Sequence, residues 1–108
     1  MVEMGGKLFW GYWKELQYEN FDSGETFEDY TRLKNTISRE GVIRHLEEIP
    51  FAVMTRVGKD IFTGERLELG QYREGPFVFP WEFLHYYKNY DIGIPYEYEA
   101  YLKSIGVK

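Results

Sequence analysis

The stretch Gly75–Tyr90, GPFVFPWEFLHYYKNY, most constrains what this chain can fold into. Its aromatic residues change period part-way. Phe77 and Phe79 sit two apart, as on one face of a strand. Phe83, Tyr86, Tyr87 and Tyr90 then fall at i, i+3, i+4 and i+7, as on one face of a helix. Pro80 stands at the change, where its missing N–H costs a first helical turn nothing. Glu82 follows, where the helix dipole favours negative charge. The stretch reads as a strand feeding directly into an aromatic-faced helix.

The flanking segments supply what this pair must pack against. Lys7–Trp13 reads as a strand with Leu8, Trp10 and Tyr12 on one face and Phe9, Gly11 and Trp13 on the other. Gly11 between two aromatics marks a bulge or a close approach of another backbone. Weak alternation continues through Leu16 and Tyr18 as a second strand or a continuation. Thr26 is placed to cap a helix from Phe27 to Thr36, striped by Phe27, Tyr30, Leu33 and Ile37. Ser38 caps a second helix, Arg39–Glu48, striped by Val42, Ile43, Leu46 and Ile49, and Pro50 ends it. Phe51–Val57 reads as a strand, with Phe51, Val53 and Thr55 opposite Ala52, Met54 and Arg56. Gly58–Asp60 turns, Ile61-Phe62 is a short extended piece, and Glu65–Tyr72 alternates. A last helix starts at Pro95, carries Tyr98, Tyr101, Leu102 and Ile105 as its stripe, and stops at Gly106.

This order predicts an α+β fold: a small antiparallel sheet of three to five strands with about four short helices packed mainly on one face. At 108 residues the chain is expected to form a single domain over 1–108, with 1–6 a flexible N-terminal tail. Rings make up 19% of the residues, and ten are tyrosines, whose hydroxyls want partners when buried.

Charge and composition exclude several function classes. Net charge is −5. Residues 31–73 carry a small basic excess, and Glu15–Asp29 holds six acids and no base. That balance argues against a nucleic-acid binder, which needs a concentrated basic face. There is no cysteine, hence no disulfide or thiolate chemistry, which fits a reducing compartment. No run reaches the roughly 18 apolar residues of a membrane span, and the expectation is a cytoplasmic protein. HExxH, EF-hand, Walker A and GxGxxG patterns are all missing, so no metal or cofactor is expected.

Three functional readings follow. The favoured one is a non-catalytic protein–protein interaction domain with an acidic, tyrosine-rich surface, self-association as a homodimer included. Its contact residues are Trp10, Trp13, Trp81, Tyr86, Tyr90, Tyr96 and Tyr98, because Tyr and Trp carry binding energy at interfaces and acids suit a basic partner. The second is a small hydrolase of phosphodiester or phosphate bonds. There His45 and His85 serve as acid and base, with Glu82 beside His85 and Arg39 or Arg44 steadying charge. It requires the two histidines to meet. The third is a helix-turn-helix DNA binder through residues 27–49, with Arg32, Lys34, Arg39 and Arg44 on phosphates, against which Glu40, Glu47 and Glu48 weigh.

Overall fold

The computed structural model describes residues 1–18, 21–50 and 53–108, and its described side chains exclude those of 53–56. Five strands form one sheet: β1 (Val2–Met4), β2 (Lys7–Phe9), β3 (Val53–Lys59), β4 (Arg66–Glu74) and β5 (Phe77–Pro80). Four helices accompany them: α1 (Phe27–Thr31), α2 (Arg39–Glu48), α3 (Phe83–Asn89) and α4 (Tyr96–Ser104). The α+β class stands. The strand order is β1-β2-β5-β4-β3. The sheet is mixed rather than wholly antiparallel, because β2 runs parallel to β5, with Leu8 opposite Phe77 and Phe9 opposite Val78.

The pivotal stretch forms as its periods dictate. All four residues of β5 are buried at the centre of the sheet. Phe77 and Phe79 face one way, and that pleat meets the helices. Phe79 stacks on Trp10 at 4.3 Å, and Trp10 meets Phe83 at 4.8 Å and Tyr98 at 5.0 Å. Val42 and Leu46 of α2 and Leu102 of α4 complete the same core. The opposite pleat is covered by irregular chain: Phe9 meets Tyr12 and Phe21, and Gln71 donates to the Tyr12 hydroxyl at 3.2 Å.

Five sequence expectations are corrected. The expected tail over 1–6 contains β1, which hairpins onto β2 through Gly5 and Gly6, both at positive φ. A Gly-Gly pair between short strands is a hairpin signal. The strand expected over Lys7–Trp13 ends at Phe9. Gly11 adopts φ +81°, and a Cβ there would stand 3.1 Å from Pro80 Cδ. This turn puts Trp10 and Trp13 in the same core instead of on opposite faces. Beyond it, Lys14–Leu16 is a 3₁₀ turn, not a strand.

The first helix stops at Thr31 rather than Thr36, and the amides at the end of the expected span are claimed elsewhere. The buried Glu99 carboxylate accepts from the amides of Thr36 at 2.7 Å and Ile37 at 3.0 Å, and from the Asn35 side chain. Burial pushes Glu99 up, but these bonds and Lys103 outweigh it and lower its pKa. Finally, Ile61-Phe62 is not extended. It lies in the loop of one β3–β4 hairpin, where the Asp60 amide bonds the Glu65 carbonyl at 2.8 Å. The expected strand start at Phe51 and Ala52 lies outside the described residues, as do the facings assigned to 53–56.

Candidate functional site

The β3–β4 hairpin outruns the sheet. Gln71 is the first β4 residue to pair with β5, while Arg66–Leu69 pair with β3 alone. This arm reaches α3, and its tip is fixed there by Asp60. The carboxylate is almost wholly buried. Oδ1 accepts from the amides of Phe62 at 2.7 Å and Thr63 at 3.1 Å, and the Tyr90 hydroxyl donates to Oδ2 at 2.9 Å. His85 Nε2 stands 2.7 Å from Oδ2. Burial pushes the Asp60 carboxyl up, but the bonds from His85, the two amides and Tyr90 prevail and hold it at about 2. The Ile61 amide adds a bond to the Tyr86 hydroxyl at 3.0 Å.

These bonds set the backbone of Phe62, whose ring is 55% exposed. It rests edge-on against Phe27 at 4.8 Å and tilted against Tyr90 at 5.1 Å. On the other side of His85 the arm and α3 enclose a cavity of about 320 Å³. Leu67, Trp81 and Leu84 give it apolar walls, Arg66 and Lys88 stand at it, Glu68 shares the arm side, and the buried Glu82 also lines it.

The structure thus gathers Trp81, Glu82, His85 and Tyr90 at one end of the molecule. Trp10, Trp13, Tyr86 and Tyr98 are at most 1% exposed and belong to the core, not to a contact surface. The reason is the turn at Gly11 and the inward stripe of α3 and α4. The Trp10 and Trp13 indole N–H groups meet no acceptor among the described residues, so those rings serve packing. Tyr96 is 52% exposed but stands apart, its hydroxyl accepting from the Lys34 amide.

His45 is elsewhere. Its Nε2 lies 2.5 Å from Glu74, whose other oxygen accepts from the Tyr98 hydroxyl at 2.5 Å. Glu74 ends β4, whereas Asp60 adjoins the Lys59–Arg66 pair at its start. Nine residues make eight rises of about 3.3 Å, so roughly 26 Å of strand separates the ends of β4 at which the two histidines are held. They do not meet, and the two-histidine mechanism has no site. His85 alone is engaged on both nitrogens, by Asp60 and by Asn89 at 3.5 Å and Glu65 at 3.6 Å on Nδ1. The guanidinium of Arg39 lies over Tyr87 and donates to the carbonyls of Ile92 and Tyr87. A five-residue α1 leaves residues 27–49 without the paired helices of a DNA-reading motif.

Several acids are internal partners of tyrosines, while Asp91 and Glu97 are exposed. Tyr18 donates to Glu82, Tyr30 to Glu25, Tyr90 to Asp60 and Tyr98 to Glu74. Glu15 and Asp29 bond α1 backbone amides at Phe27 and Thr26. Asp60, Phe62, Glu65 and Glu74 escaped the sequence reading. A bulky ring inside a turn, between Asp60 and Gly64, was the available signal for Phe62. No group of three or more acidic or histidine side chains among the described residues is placed to hold a metal ion. No helix among them is long and apolar enough to cross a membrane. Comparison of the chain with protein-family models, with curated proteins and with solved structures finds no match in any of the three.

Proposed function

We propose that this chain is a non-catalytic protein-binding domain that meets its partner on the face made by the hairpin tip and α3. The observation that carries the reading is Phe62: a half-exposed ring on a backbone already fixed by Asp60. Interfaces draw most of their energy from a few aromatic anchors, and an anchor that is ordered beforehand loses little freedom on binding. Tyr90 and Phe27 support the anchor, and the neighbouring groove offers an apolar recess of the size that takes a side chain or small ligand. A cytoplasmic site of action is part of this proposal, resting on the cysteine-free composition.

The test is photo-cross-linking from position 62 in the native cell, with a benzophenone amino acid in place of Phe62. Ala100, exposed on α4, is the control position. The reading expects a discrete protein adduct from 62 and none from 100. Irradiation that yields no adduct from 62, in a folded variant, overturns it.

A further inference from the structure

His85 of α3 faces both ends of the hairpin loop. Its Nε2 stands 2.7 Å from Asp60 and its Nδ1 stands 3.6 Å from Glu65, and the Asp60 amide, bonded to the Glu65 carbonyl at 2.8 Å, closes the loop between them. Asp60 stays ionised down to about pH 2 and can then only accept, so the single proton of a neutral imidazole sits on Nε2. Nδ1 then presents a lone pair to two groups with opposite demands. The Asn89 amide, 3.5 Å away and fixed by its bond to the His85 carbonyl at 2.8 Å, is a donor. The Glu65 carboxylate is an acceptor, and two acceptors repel. A proton on Nδ1 reverses both relations. It opposes the Asn89 donor, turns Glu65 into a partner and makes the Asp60 bond charge-assisted, which strengthens it.

We propose that His85 is a proton switch for the loop that carries Phe62: neutral, it fastens the Asp60 end alone, and charged, it draws Glu65 in and fastens both ends. The bearing of this switch on partner binding rests on the reading of the face as an interaction surface, whose regulation it names. Histidine is the side chain that changes charge between about pH 5 and 8. Arg66 and Glu68 of the arm and Lys88 and the buried Glu82 beside α3 line the adjoining groove, and Lys88 is bonded to Glu47 at 3.0 Å. The Tyr86 ring lies edge-on at 5.3 Å, and the Tyr90 hydroxyl reaches the far side of the clamp at Asp60. The ion pairs of the imidazole itself are with two carboxylates, Asp60 and Glu65. Charging the ring therefore tightens the clamp. The gain is present at the acid end of the window and is lost as pH rises through it, so Phe62 is held more firmly in acid.

Native-state hydrogen exchange on the chain alone tests this, with each rate expressed as protection over the intrinsic rate at that pH. The Phe62 and Gly64 amides are bonded to the Asp60 carboxylate and carbonyl at 2.7 and 2.9 Å. Their protection should rise about two- to fivefold from about pH 8 to about pH 5, the worth of a partly exposed ion pair. His85→Gln, which can still donate to Asp60 but has no charge to gain, should abolish the rise. Glu65→Gln should shrink it at Gly64. His45→Gln, at the other end of β4, should leave it in place. Loop protection that is the same at both pH values overturns the proposal, as does a rise that survives His85→Gln or is untouched by Glu65→Gln. Cross-linking from position 62 separates the two levels of inference. An adduct without a pH response leaves the interaction face standing and removes the switch, whereas a pH response without an adduct leaves the switch and removes the face.

Discussion

Near each end of β4 a tyrosine, a carboxylate and a histidine meet in the same order of contact. At one end Tyr98 donates to Glu74 and Glu74 meets His45. At the other Tyr90 donates to Asp60 and Asp60 meets His85. The settings differ. Tyr98 is wholly buried among Trp10, Phe77 and Phe79, so its trio closes the core. Tyr90 is half-buried, and Asp60 spends its remaining acceptor capacity on two loop amides. The same chemistry seals one end and stiffens a projecting loop at the other. What a tyrosine–carboxylate–histidine trio does is decided by what else the carboxylate holds.

The largest expected effect sharpens this contrast. Tyr98→Ala should cost about 3–5 kcal/mol in urea unfolding, as for any large buried ring, while Tyr90→Ala should cost clearly less. Equal losses would break the distinction between a closed and an open end. Next, Glu74→Leu should cost about 1–3 kcal/mol, because it leaves the buried Tyr98 hydroxyl without its acceptor. The alkaline limb reports the same group. Burial first, then the bond to Glu74, raises the Tyr98 pKa above the ordinary 10.0. The folded chain therefore keeps a proton that the unfolded chain releases, and stability falls as pH rises beyond 10. Tyr98→Phe should make that fall shallower by up to about 1.4 kcal/mol per pH unit.

At the open end the effects are smaller and local. Asp60 is held at about 2, below its ordinary 3.8. The stability it gives is complete above that ordinary value and is lost as pH falls through 2. Asp60→Asn should flatten the acid limb in this window and speed hydrogen exchange at the Phe62 and Thr63 amides, with β5 amides unchanged. Exchange that rises everywhere would mean that the arm is part of the global fold. Last, Phe62→Ala should alter stability by no more than about 0.5 kcal/mol. A larger loss would make Phe62 a core residue.

What was legible in the sequence was local. The switch of period gave β5 and α3, although Pro80 ends the strand instead of opening the helix and Glu82 is the N-cap of a helix that starts at Phe83, and Ser38 and Pro50 bracketed α2. The stripe of α4 was read correctly at Tyr98 and Leu102, though Ile105 ends up exposed. What was illegible depended on partners far along the chain. Tyr98 stands among Glu97 and Glu99, yet its hydroxyl goes to Glu74. Glu99 instead takes the amides of Thr36 and Ile37, beyond the end of α1. In the tyrosine- and acid-rich stretch of α4, Tyr98 and Glu99 are internal while Tyr96 and Glu97 stay exposed, a division that depends on these distant partners. The same distance hid the opposed fates of His45 and His85, which depend on which end of β4 supplies the carboxylate.

The parallel pairing of β2 with β5 also sets an order of events. Leu8 cannot find Phe77 until the intervening helices and the whole β3–β4 hairpin have been made. Closing so long a loop is entropically slow, and contacts of such separation slow folding as a class. During synthesis Trp10 and Trp13 must wait, uncovered, for the strand and helix that bury them. A growing chain in that state shows chaperones a tryptophan-rich segment, and that exposure ends only as the chain from Phe77 to Tyr98 arrives to cover it.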